Sequence, residues 1–248
     1  MKLLRRIAVS AGVAVSLVAS LAVVSVGAAG GFGSGAGRFT FNDTSANASF
    51  FNPDDNSSVS VSADHSLFMV RPRGGVGATA QEMTVLSVFV FVPDPDPTQP
   101  PLVDAAGCFV IPASDLVVSK DLNTATLNAT VEASDACDGF IAPIGAGPAK
   151  GGGGGGGGFT FPLTVTGTWT GTGVTGTQTD QGLFTCGGFV SQTHSQTSSQ
   201  FSSNVTVSIS GIGTFSGGPS AFGNVSVGTN TFNVTGTGIL PTDCGGKG

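Results

Sequence analysis

Over residues 159–173 the chain alternates. Phe159, Phe161, Leu163, Val165, Gly167, Trp169 and Gly171 interleave with Thr160, Thr164, Thr166, Thr168, Thr170 and Thr172. Successive side chains of a strand point to opposite faces, so a period of two predicts a long β-strand with one apolar and one threonine face. The same texture recurs along most of the chain. It excludes a helical bundle, and after the N-terminal segment no amphipathic helical period is found.

Further strand candidates follow at short intervals. They cover residues 38–42, 48–51, 57–63, 66–70, 85–92, 108–111, 115–119 and 124–132, then 188–197, 200–210, 222–227 and 231–240. Asn52-Pro53-Asp54-Asp55-Asn56 and Arg71-Pro72-Arg73-Gly74-Gly75 are breaker groups and predict turns. Residues 85–92 read VLSVFVFV, a nearly continuous apolar run that predicts a central strand buried on both faces. Glu82, Pro93 and Asp94 flank it as gatekeepers against aggregation. Five prolines in residues 93–101 cannot continue a ladder. Residues 141–158 end in eight consecutive glycines, which have no side chains to bury and predict a flexible loop. About a dozen short strands with polar, Gly-rich turns predict an all-β fold, an antiparallel β-sandwich or a partly open barrel.

The first 28 residues have the layout of a secretory signal. Lys2, Arg5 and Arg6 form a basic region, residues 7–26 carry no charge, and Val26-Gly27-Ala28 or Gly27-Ala28-Ala29 offers small residues for cleavage. That uncharged stretch also reaches the length of a membrane span. Contact with a membrane is expected only if the segment stays uncleaved. Residues 29–37 form a flexible Gly-rich leader, and residues 38–248 are read as one domain with the poly-Gly loop inside it. Loss of the signal leaves six basic against 15 acidic residues, a formal charge of −9. Such a chain repels phosphate backbones, so nucleic acid is not expected as a partner.

Four cysteines, Cys108, Cys137, Cys186 and Cys244, predict two disulfides in an exported chain. Cys108–Cys137 and Cys186–Cys244 are the favoured pairs of three connectivities, because each closes a loop within one half of the chain. The spacing lacks the C-x-x-C of a zinc site.

Little reactive chemistry stands out. His65 falls in a turn-like stretch and His194 in a polar strand, and neither has an evident partner, so both are expected to be solvated. No serine has glycine at both −2 and +2, which removes the nucleophile elbow. Glu82 and Glu132 are the only glutamates. A glycosidase pair of aspartates remains open, but nothing in the sequence singles one out. Asp54-Asp55-Asn56, Asp94-Pro95-Asp96 and Asp135-Ala136-Cys137-Asp138 supply hard oxygens without the spacing of a calcium loop. Tyrosine is absent and Trp169, the single tryptophan, is in phase with Val165 and is predicted to face the core. The 18 phenylalanines are assigned mostly to apolar phases. Seven N-x-S/T sequons begin at Asn42, Asn47, Asn56, Asn128, Asn204, Asn224 and Asn233.

Residues 121–131, DLNTATLNATV, residues 163–173, LTVTGTWTGTG, and the late cysteines Cys186 and Cys244 together resemble a group of uncharacterised secreted proteins of actinobacteria and related bacteria. The resemblance covers residues 85–244. It implies one β-domain with the poly-Gly run inserted between consecutive strands, and it transfers no catalytic residue.

The expectation is therefore a secreted or cell-surface β-domain with a non-catalytic structural or interaction role. It would meet an envelope protein or a glycan and need no cofactor and no metal. A glycan- or calcium-binding module and a secreted hydrolase are the alternatives.

Overall fold

The structure, a computed structural model, describes residues 37–72, 79–96, 98–137, 159–186, 189–217 and 221–235. Ten strands run in chain order: β1 (Gly37–Asn52), β2 (Ser57–Pro72), β3 (Thr79–Val92), β4 (Val103–Ile111), β5 (Leu116–Val118), β6 (Thr124–Val131), β7 (Leu163–Cys186), β8 (Phe189–Ile209), β9 (Gly213–Ser216) and β10 (Ala221–Thr235). Two single turns of 3-10 helix, Ala113–Asp115 and Ala133–Asp135, are the helical segments among the described residues. The expected signal, leader and poly-Gly loop lie outside the described residues.

All ten strands pair into one antiparallel sheet, in the order β4-β3-β2-β1-β10-β8-β7-β6-β5, with β9 on β8. The sandwich of two sheets is thus corrected to one open sheet, and its end strands β4 and β5 do not pair with each other. The reason lies in the polar stretches between the short strand candidates. Residues 43–47, DTSAN, contain no proline or glycine, and their side chains bond across the ladder. Two expected strands therefore fuse into β1, and 57–63 and 66–70 fuse into β2 in the same way. Asn52-Pro53-Asp54-Asp55-Asn56 does form the turn, with Asn56 at φ 58° and the Asp55 carboxylate accepting from the Ser57 N–H at 2.9 Å.

The sheet curls on itself at one end. There Ala46, Ala48 and Phe50 pair with Ala63, Val61 and Val59, and these with Leu86, Val88 and Val90. Across the curl stand Leu127, Ala129 and Val131 of β6, Leu163, Val165 and Trp169 of β7, and Val205, Val207 and Ile209 of β8. Trp169 is 1% exposed, as its phase predicts. Its indole N–H donates to the carbonyl of Asn47 at 2.8 Å, tying β7 to β1 over two intervening strands. Gly167 leaves room for the Trp169 ring, because a Cβ there would lie 2.5 Å from it, and Gly107 does the same for Phe109.

A clasp holds the curl. Cys108 of β4 is disulfide-bonded to Cys137, just after β6, and the Cys137 N–H donates to the Cys108 carbonyl at 3.0 Å. Phe109 and Ala136 form an isolated antiparallel bridge beside it. Among the described residues there is this one disulfide where two were expected. Cys186 ends β7, and Cys244, its expected partner, lies outside the described residues.

The run 85–92 is not buried on both faces. Leu86, Val88 and Val90 are buried, whereas Phe89 points outward and is 41% exposed. Among the described residues no second layer covers Phe89.

Beyond the curl the sheet continues without a core. β7 pairs with β6 only over residues 163–170. A bulge between Thr170 and Thr175 then turns β7 away, while its pairing with β8 resumes and runs to Cys186. Buried Gln200 organises the bulge, accepting from the Gly173 N–H at 3.3 Å and donating to Thr175 Oγ1 at 3.2 Å. Gly173 supplies the φ of 79° that the bend requires.

Candidate binding face

On β1, residues 43, 45 and 47 point away from Ala46 and Ala48. The register aligns them with their neighbours in three polar rows on the outer face. These are Ser62–Asn47–Asn224, Asp64–Ser45–Ser226 and Ser66–Asp43–Gly228. Hydrogen bonds link the rows. Ser62 Oγ lies 2.5 Å from Asn47 Oδ1 and 2.6 Å from Asp64 Oδ2. Asn47 Nδ2 donates to Ser45 Oγ at 3.3 Å, and Ser45 Oγ meets Ser226 Oγ at 2.7 Å. Ser66 donates to Asp43 at 3.3 Å.

A serine hydroxyl has one proton and cannot serve both Asn47 and Asp64 as donor. The two short contacts are satisfied together when Asp64 is protonated and donates to Ser62, which then donates to Asn47. The electrostatics agree. Burial pushes the Asp64 carboxyl up to about 6, the nearby Asp43 charge adds to that, and the Ser62 bond opposes it. Asp43 is raised too, chiefly by burial, against its Ser66 bond and the His65 charge. In the first row the amide oxygen of Asn224 is buried with no hydrogen-bond partner. An orphan acceptor of that kind costs about 1–3 kcal/mol.

Phenylalanines border this polar band on both sides. Toward the curl, Phe89 of β3, Phe51 of β1, Phe222 of β10 and Phe201 of β8 are 41%, 48%, 49% and 60% exposed. Phe201 and Phe222 meet edge to face at 5.6 Å. On the far side stand Phe41 and Phe68, paired across β1 and β2, and Phe39 and Phe232, paired across β1 and β10. The assignment of the phenylalanines mostly to the interior is corrected by these positions. Phase alone cannot distinguish a core face from an uncovered one.

The residues singled out by sequence lie elsewhere. His65 is on the opposite face of β2, half-buried, with Nδ1 2.9 Å from Thr84 Oγ1 and Nε2 3.5 Å from Glu82. Its expected solvation is corrected to this partnered position. His194 is exposed on β8, paired with Thr231 and Gln181, so the two histidines are three ladders apart. The acidic turns spend their carboxylates on their own backbone. Asp96 accepts from the Thr98 N–H and hydroxyl, which hold it below the usual aspartate range, and Asp135 accepts from the Glu132 N–H. Asp138 lies outside the described residues. Among the described residues no three metal-binding side chains come together.

The threonine stripe of β7 forms the outer face of the other sheet half. Thr164, Thr166, Thr168 and Thr170 lie opposite Thr130, Asn128, Thr126 and Thr124. Two shallow grooves of about 510 and 310 Å³ run over this surface. Hydroxyls, an amide, backbone and the apolar residues Leu127, Ile209 and Ile212 line them, with no carboxylate, imidazole or thiol.

Comparison with protein-family models, with curated proteins and with solved structures finds no match to this chain.

Asn47 and Asn224 stand out in the sequence only as sequon positions, and Asp43 and Asp64 carry no signal beyond a polar phase within strands. The pairing register that makes them neighbours joins residues 43–47 to 224–228, about 180 positions away in the chain.

Proposed function

We propose that this protein is an exported, non-catalytic binding module that meets its partner through an open sheet face. One observation carries the reading. Four phenylalanines stand 41–60% exposed beside a hydrogen-bonded band of Ser, Asn and Asp, on a face that no described element covers. Exposed apolar clusters rimmed by polar groups mark interaction sites. The signal-like N-terminus supports export, and the Cys108–Cys137 disulfide is compatible with it.

The test is retention of the purified protein on envelope preparations from its source organism. Phe201→Ser with Phe222→Ser should abolish retention while leaving the melting temperature within a few degrees, because both rings are outside the core. Unchanged retention in that variant overturns the reading.

A second reading rests on Asp64. A carboxyl held near 6 beside another carboxylate is the pattern of a general acid and its partner. Glycan hydrolysis by the wild type and its loss in Asp64→Asn would establish a hydrolase. The absence of an enclosing cleft among the described residues of this face favours the binding module.

A further inference from the structure

Building on the binding-face reading, we propose that the occupant of the face is an uncharged polysaccharide, its rings lying on Phe89, Phe51, Phe222 and Phe201 and its hydroxyls bonded to the Asp64–Ser62–Asn47 band. Three features select that chemistry.

The first is the layout of the rings. They stand on different strands, from Phe89 on β3 to Phe201 on β8, four ladders apart. At about 4.8 Å per ladder the row is about 19 Å long. Such a row suits an extended chain with repeated flat apolar patches. The C–H faces of pyranose rings provide them, and an aromatic ring meets them with its electron-rich face.

The second is the balance of acceptors and donors. Asp43 and Asp64 supply carboxylate acceptors beside the hydroxyls of Ser62 and Ser66. A sugar hydroxyl donates to a carboxylate and also accepts from serine, so both sides of each exchange are satisfied.

The third is charge. No lysine or arginine among the described residues points into the face: Arg38 and Arg71 pair with each other on the opposite side of β1 and β2. A formal charge of −9 after signal removal, with no cation from the described residues in the face, disfavours sulfated or uronic acid chains and anionic lipid.

The experiment is co-sedimentation of the purified protein with microcrystalline cellulose, chitin, insoluble β-1,3-glucan and granular starch, with a sulfated resin as the charged control. The expected result is retention on at least one uncharged polymer, insensitive to salt and weakened about tenfold or more by Phe201→Ser with Phe222→Ser. Asp64→Ala should weaken it as well. Retention on none of the four polymers, or equal retention of the double variant, overturns the proposal. Suppose envelope retention is lost in the double variant and destroyed by protease treatment of the envelope, while all four polymers fail. The binding face then stands, its partner is a protein, and the polysaccharide is excluded. Loss of neither signal in the double variant removes both readings.

Discussion

The two halves of β7 carry the same threonine alternation and reach opposite ends. Over residues 163–170 the positions between threonines are Leu163, Val165, Gly167 and Trp169, and all four are buried. Over residues 172–183 they are mostly glycine, glutamine or aspartate, and every residue is exposed. Threonine on alternate positions makes a strand in both places, since β-branched side chains suit an extended backbone. What differs is the intervening set. Large apolar residues draw the sheet into a curl around themselves, and without them it runs on as a bare ladder held by backbone bonds to β8.

Perturbations should therefore separate the two regions, most strongly at the centre of the curl. Trp169→Ala removes the largest buried ring and the bond to Asn47, and should cost about 3–5 kcal/mol in denaturant unfolding. A loss below 1 kcal/mol would show that the curl does not govern stability. Replacing Cys108 and Cys137 by serine opens a loop of 29 residues. Chain entropy sets the expected loss near 3–4 kcal/mol, and calorimetry of the reduced wild type checks it.

The outer band responds to pH. Asp64 titrates at about 6 when folded against 3.8 ordinarily, so between those values the folded state holds the extra proton. Its contribution is fully present below about pH 4 and is lost as pH rises through 6, up to about 3 kcal/mol. Asp64→Asn should flatten the difference between unfolding curves at pH 4 and pH 7. An unchanged slope would remove Asp64 as its source.

Gly167→Ala forces a Cβ against the Trp169 ring and should cost about 1–3 kcal/mol, read as a shift in the unfolding midpoint. The smallest effect belongs to the bare ladder. Thr179→Pro should change global stability by less than about 0.5 kcal/mol. Amide exchange there should already be far faster than at residues 163–169. Equal protection in the two halves of β7 would erase the contrast.

The alternation was enough to read strand identity and the inward Trp169, the many short strands with Gly-rich turns gave the antiparallel class, and the breaker group Asn52-Pro53-Asp54-Asp55-Asn56 gave its turn. Cys108–Cys137 was legible from loop length. Layer number was not. A period of two says that each strand has two faces and is silent on whether the second face is covered, so Phe89 reads as part of a strand buried on both faces and the phenylalanines as mostly on apolar phases. The acid pair escaped for a related reason. Asp43 and Asp64 become neighbours through a register set by the Asn52–Ser57 turn, and β1, which carries Asp43, is flanked on its other side by β10, the last of the described strands.

That last strand has a consequence for how the molecule assembles. β10 lies between β1 and β8 and pairs with β1 over 14 positions. A chain released N-terminus first, from a ribosome or through an export channel, can lay β1 to β4 side by side early. One rim of that meander then waits, unzipped, for residues 221–235. Loop closure over such separations is slow. The β1–β10 ladder therefore closes only after residues 221–235 are available, so the described sheet completes late.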